Sequence, residues 1–497
     1  MNGAEPPGAG LIEETAALFQ TAKEVFRNDP AATAILSELE ARLSGPLRIA
    51  VAGMVKAGKS TLLNAIIGEE IAPTDAGECT RIVTWYRFGT TPRVTLIPKL
   101  GDPRALPVTR EDGRLVFSLG GSEPEDVERL VVDWPAPGLQ ELTLIDTPGI
   151  ASLSQDVSGR STAFLLPENA PSAADAVIYL MRHLHASDVN FLESFKDKAA
   201  GGSGTVNALA VLSRADEIGA GRIDSLISAA VIADRYSRDE NLKPLALGVV
   251  PVAGLLAQSA RTMRQAEYRA MGLLAGMERP ERERTLLSAD RFVRAVEPAG
   301  IDPESRASLV NRFGLFGIRL GVALIRGGLD DPTALAHELA RRSGLGQLLQ
   351  TISALFQTRA DALKARAAVV GLEALLQNAG HHAATPLATA MERLQSGAHE
   401  FRELKLLAQL RTGGVVLGPE LATEAERLVG GRGTAPAMRL GLPPDPSGEA
   451  INEAARAGLD RWRIIAENPL TDPSSLDACR VVIRSCEGML AAIPASR

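Results

Sequence analysis

Cysteine is nearly missing from this 497-residue chain: Cys79, Cys479 and Cys486 are the only three. An odd, sparse set without metal-ligand spacing excludes a disulfide framework and fits a reducing cytoplasm. Cys479 and Cys486 stand seven apart, on one face if helical, and read as small apolar core residues. Aromatic residues are also few, at 4%, while alanine, leucine and arginine are plentiful. That balance favours helical bundles over sandwiches and barrels. No window approaches the ~18 uncharged apolar residues of a spanning helix; the best, Phe313 to Ile325, is interrupted by Arg319 and stopped by Arg326. Met1 to Gly10 lack the basic-then-apolar order of a signal peptide. Any membrane contact is therefore expected to be peripheral. A net charge of −7 gives no global reason to expect nucleic-acid binding. His183 with His185, and His381 with His382, have no cysteine or acidic partners at ligand spacing, so they predict no metal site.

What is present is length enough for two or three domains, with 45% hydrophobic and 23% charged residues as in a globular protein. Leu11 to Asn28 and Ala31 to Leu43 read as helices, the second with Ile35, Leu36, Leu39 and Leu43 on one face. Ser44-Gly45-Pro46 breaks that pattern. Short apolar runs of the buried-strand kind then follow at Arg48–Ala52, Leu142–Ile145, Ala176–Leu180, Ala208–Leu212 and Gly248–Val252. Strand patterns also lie at Thr80–Phe88, Arg93–Ile97 and Leu115–Leu119. Helical patterns separate the later runs, the signature of a mostly parallel sheet covered on both faces. After about Leu255 only helical periodicity remains. The expected fold is α/β: a nucleotide-binding domain over residues 46–260, a helical extension over 261–345, and an α-helical bundle from residues 1–45 with 346–497.

Four motifs carry chemistry. Gly53-Met54-Val55-Lys56-Ala57-Gly58-Lys59-Ser60, with Thr61 behind it, matches G-x-x-x-x-G-K-[ST] between a strand and a helix. Its glycines let backbone N–H groups and a helix N-terminus wrap a diphosphate, with Lys59 on the β- and γ-phosphates and the Ser60 hydroxyl on Mg²⁺. Asp146-Thr147-Pro148-Gly149 follows a buried strand; Asp146 would hold Mg²⁺ through water and the Gly149 amide would sense the γ-phosphate. Thr80, 21 residues past Lys59, is taken as the mobile-loop threonine for metal and γ-phosphate, in competition with Thr74 and Thr84. Ser213-Arg214-Ala215-Asp216 ends another strand. The Asp216 carboxylate can accept both N1–H and N2–H of guanine, a pairing adenine cannot offer. Arg214 would lay its stem along the base, and Val252-Ala253-Gly254 would offer amides, Ala253 among them, to the guanine O6. The glycine-flanked triplet in Arg411 to Gly418 is read as buried in a bundle, with a tip that dips into a bilayer as the alternative.

Together these motifs resemble the dynamin superfamily of large GTPases. Gly53 to Thr61, Ala72 to Trp85 and Ser213 to Gly221 resemble in particular the actinobacterial isoniazid-inducible dynamin-like proteins. The likeness extends into Arg312-Phe313-Gly314-Leu315-Phe316-Gly317 and Arg342-Ser343-Gly344-Leu345. The resemblance implies GTP hydrolysis coupled to movement of a helical bundle, self-association or pairing with a related dynamin-like protein, and membrane remodelling on the cytoplasmic face. Residue 150 is Ile, so the water-orienting glutamine of small GTPases is missing. Lys56 stands where eukaryotic dynamins carry a serine that helps bind a monovalent cation, which suggests that its ammonium supplies that charge. The altered Ser213-Arg214 pair keeps an ATPase or promiscuous NTPase open, and a nucleotide-dependent scaffold that partners a related GTPase is the other alternative.

Overall fold

Alternation builds the centre of the molecule. In strand β1 (Leu47–Gly53), Ile49 and Val51 point to one face of the sheet and Ala50 and Ala52 to the other, all fully buried. A strand apolar on both sides has to sit inside a covered sheet. In the computed structural model, which describes residues 10–73, 81–111, 114–116, 118–149, 172–194, 206–295, 300–378 and 385–492, β1 lies between two parallel neighbours, β8 (Leu142–Asp146) and β9 (Ala176–Met181). Strands β10 (Ala208–Ser213) and β11 (Val249–Val252) extend the parallel run. Beyond β8, β2 (Thr84–Phe88) pairs antiparallel to β8 and parallel to β7 (Val127–Trp134), and β3 (Arg93–Pro98) and β4 (Arg104–Leu106) close the edge antiparallel. The order is β11-β10-β9-β1-β8-β2-β7-β3-β4, with β5 (Thr109–Glu111) and β6 (Arg114–Val116) as a separate hairpin. The fold is thus α/β with a mostly parallel sheet, as expected, joined to an α-helical bundle.

Strand β7 is the longest strand the sequence pattern did not announce, beside the short β4 and β5. Glu128, Arg129 and Asp133 interrupt its apolar run, yet Asp133 is only 6% exposed. Its carboxylate is held there by Arg87 and Arg93 from the two neighbouring strands.

Helices cover both faces. Lys59–Ile67, Gly254–Arg261 and Leu345–Leu355 pack on the side of Ile49 and Val51, while Phe191 and Leu192 of Ala186–Ser194 pack on the side of Ala50 and Ala52. The stretch from 257 to 296, helical throughout in pattern, is cut into four helices, Gly254–Arg261, Gln265–Gly276, Arg279–Thr285 and Ala289–Arg294. The N-terminal helices Leu11–Val25 and Pro30–Ser44 bury Phe19, Leu36 and Leu39 against Ala360–Asn378 and Thr385–Gly397. Leu39 sits where a side chain on Gly371 would stand. The last helices, His399–Thr412, Pro419–Leu428, Gly448–Glu467 and Pro473–Ala491, pack around Trp462, with Cys479 and Cys486 fully buried among them. Burial pushes the Cys486 thiol up to about 11, as suits a core residue; Cys79 lies outside the described residues.

Helix Pro303–Arg326 is long and apolar enough to cross a membrane by composition alone, but half of it is buried in the protein. The loop after Thr412 is buried at one point and open at others. Val415 is buried and only Val416 of the triplet is fully open, at 78%. Arg411 donates to the carbonyls of Lys243 and Ala246 beside β11 and pairs with Glu426.

Candidate functional site

The carboxyl ends of β1, β8 and β10 lie together, and each delivers one piece of chemistry. Strand β1 ends at Gly53, with φ of 149°. A Cβ there would stand 2.4 Å from the Leu180 carbonyl oxygen, so only glycine lets the chain leave the sheet at this point. The loop closes with the Ala57 amide on the Met54 carbonyl, and helix Lys59–Ile67 begins at Gly58. Its first-turn amides, including those of Lys59, Ser60 and Thr61, have no intrahelical acceptor and face out of the helix end. Lys59 Nζ donates to the carbonyls of Gly53 (3.2 Å) and Met54 (3.4 Å). Burial lowers its affinity for a proton, and the Asp146 carboxylate opposes that shift.

Asp146 ends β8. Its Oδ2 accepts from the Ser60 hydroxyl at 3.2 Å, and its Oδ1 is buried with no hydrogen-bond partner among the described residues. Burial pushes the carboxyl up to about 6, against the pull of Lys59 and Ser60. A hydroxyl beside a carboxylate with one unsatisfied oxygen is a donor set for a hard divalent cation, either directly or through water. Thr147 anchors the turn by donating to the Val51 carbonyl at 2.9 Å. Gly149 then passes so close to the phosphate loop that a Cβ would meet Val55 Cγ2 at 2.6 Å. Of the competing threonines, Thr84 is buried beside Asp146 in the sheet, its hydroxyl on the Ile82 carbonyl. Thr74, Thr80 and Ile150 lie outside the described residues.

On the base side, β10 ends at Ser213, whose hydroxyl turns inward to the Met181 carbonyl (3.2 Å) and ties β10 to β9. Arg214, at φ of 52°, reaches across to the phosphate loop: Nη2 donates to the Lys56 carbonyl at 2.9 Å and Nη1 to Glu217 at 2.8 Å. Lys56 itself is exposed and also left-handed, at φ of 62°. The base-side loop and the phosphate loop are thus joined by one guanidinium. Asp216 is 7% exposed, and burial pushes its carboxyl up to about 6.

One expectation is corrected. The Ala253 amide does not face a base: Ala253 is fully buried and its N–H donates to the Ser343 carbonyl at 2.8 Å. The close approach is set by Gly344, where a Cβ would lie 2.3 Å from the Pro251 carbonyl. The Ser343-Gly344 corner therefore caps the end of β11. Conversely, Gly314 stands beside both Asp216 and Leu255, a proximity that no local sequence signal marks.

Comparison with known proteins agrees with this geometry. A family model described as the dynamin family matches residues 49–200. The isoniazid-induced protein IniC of Mycobacterium tuberculosis is 44% identical over 462 residues, covering 93% of each chain. The isoniazid-induced protein IniA of the same organism is 33% identical over 152 residues, 29% of this chain and 22% of that one. A bacterial dynamin-like protein of Nostoc punctiforme is 32% identical over 119 residues, 21% of this chain and 17% of its own. With a phosphate loop, an acid at the end of β8 and a likeness to IniC along nearly its whole length, the chain belongs to the dynamin family and is a dynamin-like GTPase.

Proposed function

We propose that the protein hydrolyses GTP to GDP and phosphate with Mg²⁺, by attack of water on the γ-phosphate. The reading rests on one observation: the phosphate loop, the Ser60–Asp146 pair and Asp216 converge at the carboxyl ends of neighbouring parallel strands, where such folds bind ligands. Lys59 and the amides from Gly58 to Thr61 would hold the β- and γ-phosphates, and Asp216 would accept the guanine N1–H and N2–H. Ser60 and Asp146 would hold the metal, with Thr80, before β2 in sequence, joining them. Bound there, Mg²⁺ would neutralise charge on the β- and γ-phosphate oxygens. Lys56 would add positive charge near the β–γ bridge. Rate then comes from positioning and charge stabilisation rather than from a covalent intermediate.

The division of labour is proposed as residues 46–260 for the nucleotide, 261–345 as its helical extension, and 1–45 with 346–497 as the bundle. By the likeness to dynamin-family relatives, turnover would drive self-association through the GTPase domains or assembly with a related dynamin-like protein. It would also drive peripheral work on the inner face of the cell membrane, with no nucleic-acid partner. Measuring GTP and ATP turnover in Mg²⁺ and in EDTA tests the chemistry; equal rates on both nucleotides would make it a general NTPase. Co-sedimentation with anionic liposomes, with and without a GTP analogue, tests the membrane role. Absence of pelleting in both states would leave a nucleotide-dependent scaffold.

A further inference from the structure

The long helix Pro303–Arg326 is broken inside at Gly314, where φ is 62° and ψ is 172°. A glycine could have continued the helix at modest cost, so the break is imposed by what holds the chain on each side. Before it, the Arg312 carbonyl accepts from Ser259 Oγ. The Arg312 guanidinium, 8% exposed, donates to Glu70 (2.7 Å), to Glu267 and to the Thr262 carbonyl (2.9 Å). After it, Phe316 packs on Gly221, and Arg319 Nη1 donates to the Gly221 carbonyl at 2.6 Å. Gly221 closes the same loop that carries Arg214 and Asp216. The broken helix is therefore fastened to the base-side loop.

The break aims Gly314 at Asp216. A Cβ on residue 314 would lie 3.8 Å from Asp216 Oδ2 and 3.8 Å from Leu255 Cδ2. A base nitrogen donating to that oxygen sits about 2.9 Å from it, so the base edge and a side chain at 314 would both touch Oδ2. Of the two guanine donors, the 2-amino group lies at the outer end of the pair and is the one that meets a flanking wall. We infer that Gly314 is a specificity-determining residue: with Leu255 it walls the base pocket beside Asp216, and its missing side chain makes room for the 2-amino group of guanine. The inference rests on the reading of Asp216 as the guanine acceptor.

The test compares GTP with inosine triphosphate, which keeps N1–H but lacks the 2-amino group. Dissociation constants are measured by competition against a fluorescent nucleotide for the wild type, Gly314→Ala and Leu255→Phe. Backbone strain at residue 314 weakens both nucleotides and cancels in their ratio. A methyl group in a fitted pocket is worth roughly 10-fold or more, so Gly314→Ala should lower the GTP-to-ITP affinity ratio by about that factor. Leu255→Phe crowds the same corner from an unstrained helix and should lower the ratio in the same direction; it decides alone if Gly314→Ala does not fold. Equal losses for both nucleotides, or an unchanged ratio, overturn the inference. Asp216→Asn separates this from the underlying reading. If that variant loses GTP and gains xanthosine triphosphate while the Gly314→Ala ratio is unchanged, only the wall is wrong. If Asp216→Asn keeps GTP affinity, the base assignment itself has failed and the inference falls with it.

Discussion

Asp146 should make the nucleotide-free protein less stable at neutral pH than its own amide isostere. Its carboxyl is raised from the usual 3.8 to about 6 by burial. A carboxyl that holds its proton more tightly folded than unfolded contributes stability below pH 3.8, and that contribution is lost as pH rises through 6. At about 1.4 kcal/mol per pH unit, the ionised group costs at most roughly 3 kcal/mol at pH 7. Two effects reduce what Asp146→Asn recovers. The residue keeps a partly exposed edge, and Lys59 loses the carboxylate that offsets its own burial. The expected net gain is on the order of 1 to 2 kcal/mol. The measurement is the urea midpoint of wild type and Asp146→Asn in EDTA from about pH 4 to 8. The two curves should lie close together near pH 4, separate as pH rises toward 6, and run parallel above it, the variant being the more stable. With Mg²⁺ and GDP added, the order should reverse, because the variant lacks the charge that would hold the cation. A variant that is less stable at pH 8 without nucleotide, or a difference that does not change with pH, would refute the assignment of Asp146 as a strained, metal-awaiting carboxylate.

Arg214→Ala removes the guanidinium that joins Lys56 to the base-side loop, at roughly 1.5 kcal/mol for a charged hydrogen bond. It should weaken GDP binding by about tenfold in a fluorescence titration, whereas Arg214→Lys, which can still donate to one carbonyl, should keep most of the affinity. Lys56→Ser should make GTP turnover depend on added K⁺; equal, K⁺-indifferent rates in both forms would remove Lys56 from the catalytic account. Arg312→Ala leaves Glu70 and Glu267, both 9% exposed at the side chain, without their shared cation. The loss should be about 3 to 5 kcal/mol. Urea unfolding of Arg312→Ala and of Arg312→Lys, which keeps the charge, checks it, and equal losses in the two would show that charge is not the cause.

The phosphate loop was legible because its chemistry is contiguous. Glycines, lysine and hydroxyl lie within eight residues, and the strand and helix around them show their own periodicities. Asp146 and Asp216 were legible because each ends a short apolar run. What local pattern could not reveal is pairing across the chain. Strand β7 hides behind Asp133, whose charge is cancelled by Arg87 on β2 and Arg93 on β3. Ala253 looked available from the position of β11, but Ser343, 90 residues on, takes its amide. The long helical stretch from 346 to 378 breaks near Phe356, with the 3₁₀ turn Gln357–Arg359. There the Arg359 guanidinium is drawn down to the Val429 carbonyl. In each case the deciding partner is remote in sequence.

Most of those remote partners are arginines, and the choice of residue follows from the task. Arg42, on the second N-terminal helix, spans Asp175 and the Ser172 carbonyl before β9. Arg261 holds the Ala65 and Ile66 carbonyls at the end of the phosphate-loop helix. Arg312 takes Glu70 a few residues later, Arg319 takes Gly221 on the base-side loop, and Arg411 takes Lys243 and Ala246 before β11. A planar guanidinium satisfies two or three acceptors at fixed angles and stays charged when buried, which an ammonium does not do. Helix ends and strand ends present carbonyls in this kind of cluster. So the residue type that made the composition look merely helical fastens helices to the sheet and its loops, Arg42 and Arg411 at the amino ends of β9 and β11 and Arg319 at the base-side loop. Arg261 and Arg312 bracket the stretch from Ala65 to Glu70, which leads from the phosphate loop toward Thr74 and Thr80. A shift of that stretch would have to break the contacts of these two arginines or carry their helices with it.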